Sequence, residues 1–154
     1  MPKKKLKVLM IGNSFSESVL AYLPQMVRAD AKHPGLRIRQ AYIGGCSIER
    51  HLQEYDQALA NPSHRPYLTN MPLPGAPRHS PKRWEANVPE MLKEDAWDIV
   101  SIQQASRFSW KPETYGKDAE RLFGEADAGI VLGTVPDFID YEVQRGATAQ
   151  FGYR

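Results

Sequence analysis

The fold is decided at residues 7–16, where the chain reads KVLMIGNSFS. Four apolar residues, Val8 to Ile11, follow one another without interruption and end at Gly12 and Asn13. A short continuous apolar run that ends at a turn is typical of a strand buried on both faces at the centre of a parallel sheet. Helical spacing of apolar residues begins soon afterwards. This stretch therefore predicts the first strand, turn and helix of an α/β domain, with Ser14 at the turn.

The rest of the chain repeats this alternation of strands and helices. The first helix is predicted to end near Lys32, with Pro24 tolerated in its first turn. Apolar and alternating runs predict further strands at residues 36–43 (nearer an edge), 99–102 and 129–135, and helices at residues 48–60, 87–93 and from Pro112 onward. Such alternation is typical of βαβ units. We therefore predict one domain over residues 1–154, an α/β protein built as a three-layer α/β/α sandwich.

Two segments depart from this alternation. Residues 61–87 contain prolines at 62, 66, 72, 74, 77 and 81, which exclude a continuous helix or a central strand. We interpret this segment as a proline-rich surface loop or insertion that forms a wall or lid of a site. Residues 125–154 are atypical for the expected pattern, so the domain looks short at its C-terminus.

Composition limits the classes of function. With 20 Lys and Arg against 18 Asp and Glu, the net charge is +2, which does not suggest nucleic-acid binding. The single cysteine, Cys46, excludes an internal disulfide, and the four histidines show no metal-ligand spacing. The apolar run that follows the basic N-terminus is shorter than a secretory signal needs, and no stretch approaches a membrane span. We expect a cytoplasmic protein with no metal, no cofactor and no membrane span.

Three predicted strands end in small or polar residues that are candidates for one site. In parallel sheets the ligand crevice lies beyond the carboxyl ends of the strands, so these ends should converge. Ser14, at the positive end of a helix dipole, is placed for a nucleophile, and its N–H together with a glycine-rich turn can face an oxyanion. A structural role is the alternative for each: a helix cap, a turn with positive φ, or a small buried side chain. The candidates are Asn13 and Ser14, then Gly44, Gly45, Cys46 and Ser47, then Gln103, Gln104 and Ser106.

These three segments resemble the SGNH (GDSL-like) hydrolase superfamily, in particular a bacterial subfamily. GNS at residues 12–14 stands where the first family block has Gly-Asp-Ser, while YIGGCS at residues 42–47 and WDIVSIQQAS at residues 97–106 resemble the next two blocks. The resemblance implies a flavodoxin-like parallel sheet and a serine ester hydrolase. Its substrate would be a small ester or an acylated carbohydrate, with an acyl or acetyl group removed.

The same resemblance assigns roles to the candidate residues. It implies Ser14 as nucleophile within the Asn13-Ser14 motif, Gly45 as oxyanion donor, and Gln103 or Gln104 in place of the asparagine that the family has in its third block. We place Gly44, Cys46, Ser47 and Ser106 among the residues that contact substrate.

One part of the family pattern is missing. The Asp-x-x-His block that supplies the general base near the C-terminus is not found, because no histidine follows His79. His51, His64, His79 or a partner subunit are the alternative sources of a base. Without one, serine is a poor nucleophile and activity should be weak. Two alternatives therefore stay open: a non-catalytic ligand-binding module, and a flavodoxin-like binder of an anion or nucleotide at the turn of residues 12–16.

Overall fold

The computed structural model describes residues 5–30, 35–69, 84–116, 119 and 121–122, and the backbone of residues 129–133. The elements follow in the order β1 (Leu6–Gly12), α1 (Ser14–Ala29), β2 (Leu36–Tyr42), α2 (Ile48–Ala60), β3 (Tyr67–Thr69), β4 (Trp84–Ala86), α3 (Val88–Glu94), β5 (Ile99–Gln103), two 3₁₀ turns (Ser106–Phe108 and Pro112–Thr114) and β6 (Gly129–Gly133). No helix within these ranges combines the length and the apolar character needed to cross a lipid bilayer.

The strands form one sheet in the order β4-β3-β2-β1-β5-β6. Strands β2, β1, β5 and β6 are parallel, and β3 and β4 extend the sheet beyond β2 as an antiparallel pair. The chain moves from β1 to β2 on one side and returns to place β5 on the other side. The carboxyl ends of β1 and β5 therefore form the switch point at which open α/β sheets bind ligands.

Alternate residues of β1 enter two separate cores. Leu9 and Ile11 belong to a large buried cluster that includes residues of α2 and α3, while Val8 and Met10 pack with the apolar residues of α1. This alternation follows from the period of two in a strand. Helices thus cover both faces of the sheet, and the predicted three-layer α/β/α sandwich is confirmed.

Helix α1 is longer at its start than predicted. It begins at Ser14 directly after β1, because the Asn13 side chain accepts a hydrogen bond from the N–H of Phe15 and caps the helix. Pro24 consequently lies in the helix interior, and its predicted place in the first turn was wrong. The helix ends at Ala29, three residues before the predicted end near Lys32.

Helix α2 ends where it was predicted to end. Ser47 caps it by accepting a hydrogen bond from the N–H of Arg50, and the last helical residue is Ala60. Its buried residues are Ile48, His51, Leu52, Glu54, Tyr55 and Ala58, and Leu59 is 54% exposed. The predicted fourth strand is present in the backbone as β6, whereas Pro112 opens a 3₁₀ turn before residues with helical backbone at 116, 119, 121 and 122.

The proline-rich segment is more regular than predicted. It contributes β3 and β4, two strands of three residues each, so its description as a loop from 61 to 87 needs correction. The prolines at 62 and 66 precede β3, which leaves the N–H groups of the strand available for pairing. Residues 70–83, which include the predicted wall or lid, lie outside the described residues, as do residues 125–154 apart from β6.

An ion-pair cluster ties the amino ends of β1 and β2 to the end of α3. Lys7 donates to Asp95 at 2.5 Å, and Arg37 pairs with both Asp95 and Glu94. Arg39, only 3% exposed, has its Nε 3.0 Å from a Glu94 carboxylate oxygen. This cluster lies at the end of the sheet opposite to the switch point.

Candidate active site

Asn13 joins the three strand ends that the sequence singles out. Its side chain is 1% exposed, and its Nδ2 donates to the carbonyl of Cys46 at 3.2 Å and to the carbonyl of Gln104 at 3.0 Å. Its Oδ1 accepts from the N–H of Phe15 at 3.2 Å. The carboxamide therefore fixes the turns after β1, β2 and β5 relative to one another. Asn13 is buried, so its part in the site is to position neighbouring residues rather than to contact a substrate.

Ser14 stands at the exposed start of α1, directly after the central strand. No described residue forms a hydrogen bond with its hydroxyl or with its backbone N–H. Because Asn13 supplies the helix cap, Ser14 is relieved of the capping role that the alternative interpretation gave to it. The hydroxyl lies at the positive end of the α1 dipole, where a developing negative charge is stabilised.

The turn after β2, which is bonded to Gly12 and Asn13, presents a second donor that has no described partner. The N–H of Ile43 donates to the carbonyl of Gly12 at 3.0 Å, which holds this turn against the end of β1. Gly45 adopts φ of +62°, a left-handed conformation that favours glycine. Both Gly44 and Gly45 are exposed, and the N–H of Gly45 has no acceptor within the part of the chain that the structure describes.

The two adjacent glutamines at the end of β5 point to opposite faces of the sheet. Gln104 is saturated, because its Oε1 accepts from the N–H groups of Ile48 and Ala105, and its Nε2 donates to the carbonyl and the hydroxyl of Thr114. A side chain whose donors and acceptors are all used inside the protein has none left for an oxyanion. Gln104 is therefore removed from the oxyanion candidates.

Gln103 keeps a free donor. Its Oε1 accepts from the Ser16 hydroxyl at 2.5 Å and from the N–H of Asn13 at 3.5 Å. The backbone N–H of Asn13 can only donate, so the carbonyl of the amide faces these groups and the NH₂ faces away. Nε2 has no partner among the described residues, although only 5% of Gln103 is exposed.

Little space remains between Gly12 at the end of β1 and the side chains of Ser16 and Gln103. A Cβ on Gly12 would stand 2.1 Å from the Ser16 hydroxyl oxygen and 2.5 Å from Oε1 of Gln103, so only glycine fits at this position.

The other predicted contact residues are divided between the core and the surface. Cys46 is 0% exposed and burial raises the pKa of its thiol to about 12, so its side chain is neither a nucleophile nor a substrate contact. This corrects its place among the substrate-binding candidates. The hydroxyl of Ser47 caps α2, and Ser106 is exposed on the first 3₁₀ turn.

The described histidines are committed elsewhere. His51 is fully buried, with Nδ1 2.9 Å from the Tyr67 hydroxyl, and burial lowers the pKa of the ring to about 3. His64 Nε2 lies 2.6 Å from a carboxylate oxygen of Glu54. Glu54 lies seven residues after Ser47, roughly 10 Å down the helix from the site. His51 is enclosed in the core and His64 is paired with Glu54, so neither ring is offered as the base for Ser14. His33 and His79 lie outside the described residues.

Metal and anion chemistry receive little support from the described residues. No three His, Cys, Asp or Glu side chains among them are grouped to hold a metal ion. The N–H groups of Phe15 and Ser16 at the start of α1 are already bonded to Asn13. A phosphate at this helix would therefore find the N–H and the hydroxyl of Ser14 as donors of the first turn that have no described partner.

Comparison with known proteins assigns the chain to a family. A family model described as "Domain of unknown function (DUF4886)" matches residues 7–128. The chain belongs to the DUF4886 family. All of β1 except Leu6, together with α1, β2, α2 and β5, lies inside the matched range, and with them all nine candidate site residues.

A crystal structure of a DUF4886 family protein from Bacteroides uniformis is similar in fold. The two chains are 24% identical, with a TM-score of 0.58 over 96% of this chain and 58% of the other. This DUF4886 chain thus spans 58% of the length of that protein. No curated protein matches the sequence.

Two of the candidate residues of this DUF4886 domain, Ser47 and Gln104, line a cavity of about 330 Å³, whereas Ser14, Gly45 and Gln103 are not among its described lining residues. Its walls come from the start of α2, the end of β5 and the two 3₁₀ turns; they include Ser47, Glu49, Gln104, Phe108, Glu113 and Thr114. The sequence alone did not indicate Glu49, Phe108, Glu113 or Thr114 as lining residues. No motif marks them, because the 3₁₀ turns that bring three of them to the cavity have no periodic signal.

Proposed function

We propose that this DUF4886 domain is a serine ester hydrolase of the SGNH type, with Ser14 as its nucleophile. One observation carries the proposal: an exposed serine hydroxyl with no described hydrogen-bond partner stands at the carboxyl end of the central strand. It lies at the switch point of the sheet, where α/β proteins bind their ligands. A serine that serves only the fold would use its hydroxyl as a cap or in a turn, and here Asn13 already supplies the cap.

The reaction is an acyl transfer in two halves. The hydroxyl oxygen of Ser14 attacks the acyl carbonyl carbon while its proton passes to a base, and the carbonyl oxygen becomes an oxyanion. The tetrahedral intermediate collapses with loss of the alcohol, which takes up a proton. Water then attacks the acyl-serine in the same way, which releases the carboxylic acid and restores the hydroxyl.

Three donors are available for the oxyanion. They are the N–H of Ser14, the N–H of Gly45 and the NH₂ of Gln103, none of which has an acceptor among the described residues. Donors fixed in advance are effective because they need no reorganisation during the reaction, and one such donor contributes about 2.7–4 kcal/mol to transition-state stabilisation. The hydrogen bonds of the Asn13 side chain to the turns after β2 and β5 keep the N–H groups of Ser14 and Gly45 in place.

The described residues do not supply a general base for the Ser14 hydroxyl. His51 is buried with a pKa of about 3, and His64 is paired with Glu54. The proposal therefore takes the base from a residue outside the described ranges or from a partner molecule. Removing the base of a catalytic triad costs orders of magnitude in rate, so a base that comes from a partner molecule would leave the turnover of the chain by itself low.

Covalent labelling tests the proposal. The 154-residue chain is incubated with a fluorophosphonate probe and its intact mass is measured, beside Ser14→Ala and a control, Ser63→Ala. Ser63 is an exposed serine in the turn after α2, away from the strand ends. One adduct on the parent and on Ser63→Ala, with none on Ser14→Ala, supports an activated Ser14. No adduct on a folded parent refutes the hydrolase proposal for this chain.

A non-catalytic ligand-binding module is the second candidate. The observation that favours it is the absence of a suitably placed histidine among the described residues, combined with a preformed cavity beside the turns. It predicts ligand binding that survives Ser14→Ala together with no fluorophosphonate adduct on the parent chain.

A further inference from the structure

Ser16 is a buried serine whose hydroxyl bonds to another element of the fold. It lies in the first turn of α1, two residues after the proposed nucleophile, and it is 0% exposed. Its hydroxyl donates to Oε1 of Gln103 at 2.5 Å. A serine inside a helix usually faces solvent or bonds to a carbonyl of the preceding turn. Here the hydroxyl instead joins the start of α1 to the end of β5.

This hydrogen bond has little room to rearrange. The backbone of β1 passes beside it at Gly12, where an added Cβ would stand 2.1 Å from the Ser16 hydroxyl oxygen and 2.5 Å from Oε1 of Gln103. Only 5% of Gln103 is exposed, so water has little access to the bond. A glutamine side chain has several rotatable bonds, and here their freedom is restricted before any ligand binds.

The bond to Ser16 determines which end of the Gln103 amide faces outward. Oε1 accepts from two donors at the start of α1, the Ser16 hydroxyl at 2.5 Å and the N–H of Asn13 at 3.5 Å. Because N–H···O hydrogen bonds are usually about 2.9–3.0 Å long, the contact with Asn13 is weak and the bond with Ser16 is the stronger of the two. With the carbonyl end of the amide held against α1, the NH₂ end faces away from this helix.

The NH₂ end of Gln103 keeps contact with the exterior. Nε2 has no partner among the described residues. It is also not one of the fully buried side-chain nitrogen and oxygen atoms that lack a partner in this part of the chain. Nε2 therefore keeps accessible surface, and a group bound at the carboxyl end of β5 can accept a hydrogen bond from it.

We infer that Ser16 is a positioning residue, which holds the Gln103 carboxamide with its NH₂ directed to the oxyanion of the reaction. Being fully buried, Ser16 contacts no substrate and acts through Gln103 alone. Oxyanion donors are effective when they are fixed before the reaction, and this hydrogen bond fixes a side chain that would otherwise rotate. The inference rests on the proposed hydrolase function for the oxyanion, whereas the fixing of the amide does not depend on it.

Labelling kinetics with the fluorophosphonate probe test the inference in the full chain. The maximal rate of adduct formation and the affinity for the probe are measured by intact mass for the parent, Ser16→Ala, Gln103→Met and the double variant. Gln103→Met keeps a side chain of similar length and removes the amide.

The expected result follows from the energies of the two hydrogen bonds. Loss of one oxyanion donor lowers a rate about 10²–10³-fold, which is the slowing expected for Gln103→Met. Loss of a hydrogen bond between neutral groups changes an equilibrium about two- to tenfold. Ser16→Ala should therefore slow labelling of the parent by about two- to tenfold with the affinity for the probe unchanged. Added to Gln103→Met, it should cause no further slowing.

Ser101→Ala is the matched control. Ser101 is a buried serine on β5, two residues before Gln103, and its hydroxyl has no partner among the described residues. This variant should label at the parent rate. A serine that serves only the fold would slow labelling by the same factor with and without the Gln103 amide. That result, or an unchanged rate when Ser16→Ala is made in the parent, overturns the inference.

A measurement of side-chain mobility separates this inference from the hydrolase proposal. The glutamine side chains are labelled with ¹⁵N, the Gln103 signal is identified by its loss in Gln103→Met, and the ¹H–¹⁵N heteronuclear NOE reports its motion. We expect Ser16→Ala to lower this NOE and Ser101→Ala to leave it unchanged. If that result comes without an adduct on the parent, the fixing of the amide stands and the hydrolase proposal fails alone. An adduct on Ser14 together with an NOE that Ser16→Ala does not alter overturns the inference and leaves the hydrolase proposal standing.

Discussion

Replacement of Asn13 by alanine tests whether one buried carboxamide holds the site together. The substitution leaves the buried carbonyls of Cys46 and Gln104 without the donor they now have, and it removes the cap of α1. A buried polar group that loses its partner costs about 1–3 kcal/mol. Loss of a helix cap costs about 1 kcal/mol. Together these give a loss of about 3–7 kcal/mol, a large part of the ~5–15 kcal/mol that stabilises a typical domain.

The assay is urea unfolding followed by circular dichroism, with the free energy of unfolding extrapolated to water. Asn61→Ala is the matched control, since Asn61 is exposed and its side chain accepts one hydrogen bond, from the N–H of Ser63 at 3.1 Å. We expect Asn61→Ala to cost less than about 1 kcal/mol. Asn13→Ser keeps a capping hydroxyl and loses the two bridging bonds, so it should lie between the two. If Asn13→Ala and Asn61→Ala lowered the free energy of unfolding equally, the inference that the Asn13 side chain holds the three turns together would be refuted.

Two further predictions concern backbone strain and pH. Gly45→Ala should lower the free energy of unfolding by about 1–2 kcal/mol, because φ is +62° at this position. Gly116→Ala should leave it unchanged, since φ is not positive there and an added Cβ meets no atom within 4 Å. Thermal melting of both variants tests this, and equal melting midpoints would refute the expected backbone strain at Gly45. His51 has its pKa lowered from 6.5 to about 3 by burial, so the stability gained from the neutral ring is present above pH 6.5 and is lost as pH falls towards 3. Between about pH 7 and pH 5 the parent should therefore lose stability more steeply than His51→Gln, by up to about 1.4 kcal/mol per pH unit, and parallel profiles would show that the histidine is not buried in neutral form.

The layer architecture could be predicted from the sequence because its signals are local. The apolar runs that became β1 and β5 are short and continuous, and Ser47 and Asn87 precede helices as capping residues do. Strands β3 and β4 gave no such signal, because three residues each are too few for a period to show. The start of α1 was missed because the first apolar residues with helical spacing come after its first turn.

The site was predictable in its location and less so in its details. Parallel strands bring their carboxyl ends together, so Ser14 and Gly45 could be expected at one edge of the sheet. Which of Gln103 and Gln104 keeps a free side-chain amide could not be predicted. The alternation of a strand sends the two side chains to opposite faces of the sheet, and only the packing of α1 determines on which face the amide stays free. Likewise, the hydrogen bonds of Asn13 join residues 33 and 91 positions apart, a separation that no local pattern reveals.

The ion pairs at the amino end of β2 bear on how this end of the sheet responds to salt. Arg37 and Arg39 of β2 both pair with carboxylates at the end of α3. Ion pairs between exposed charges are screened by salt, and buried pairs are screened much less. The Arg37 side chain is 35% exposed and the Arg39 side chain is 3% exposed. Raised ionic strength should therefore weaken the attachment of α3 to the sheet mainly at Arg37, while the Arg39 pair persists.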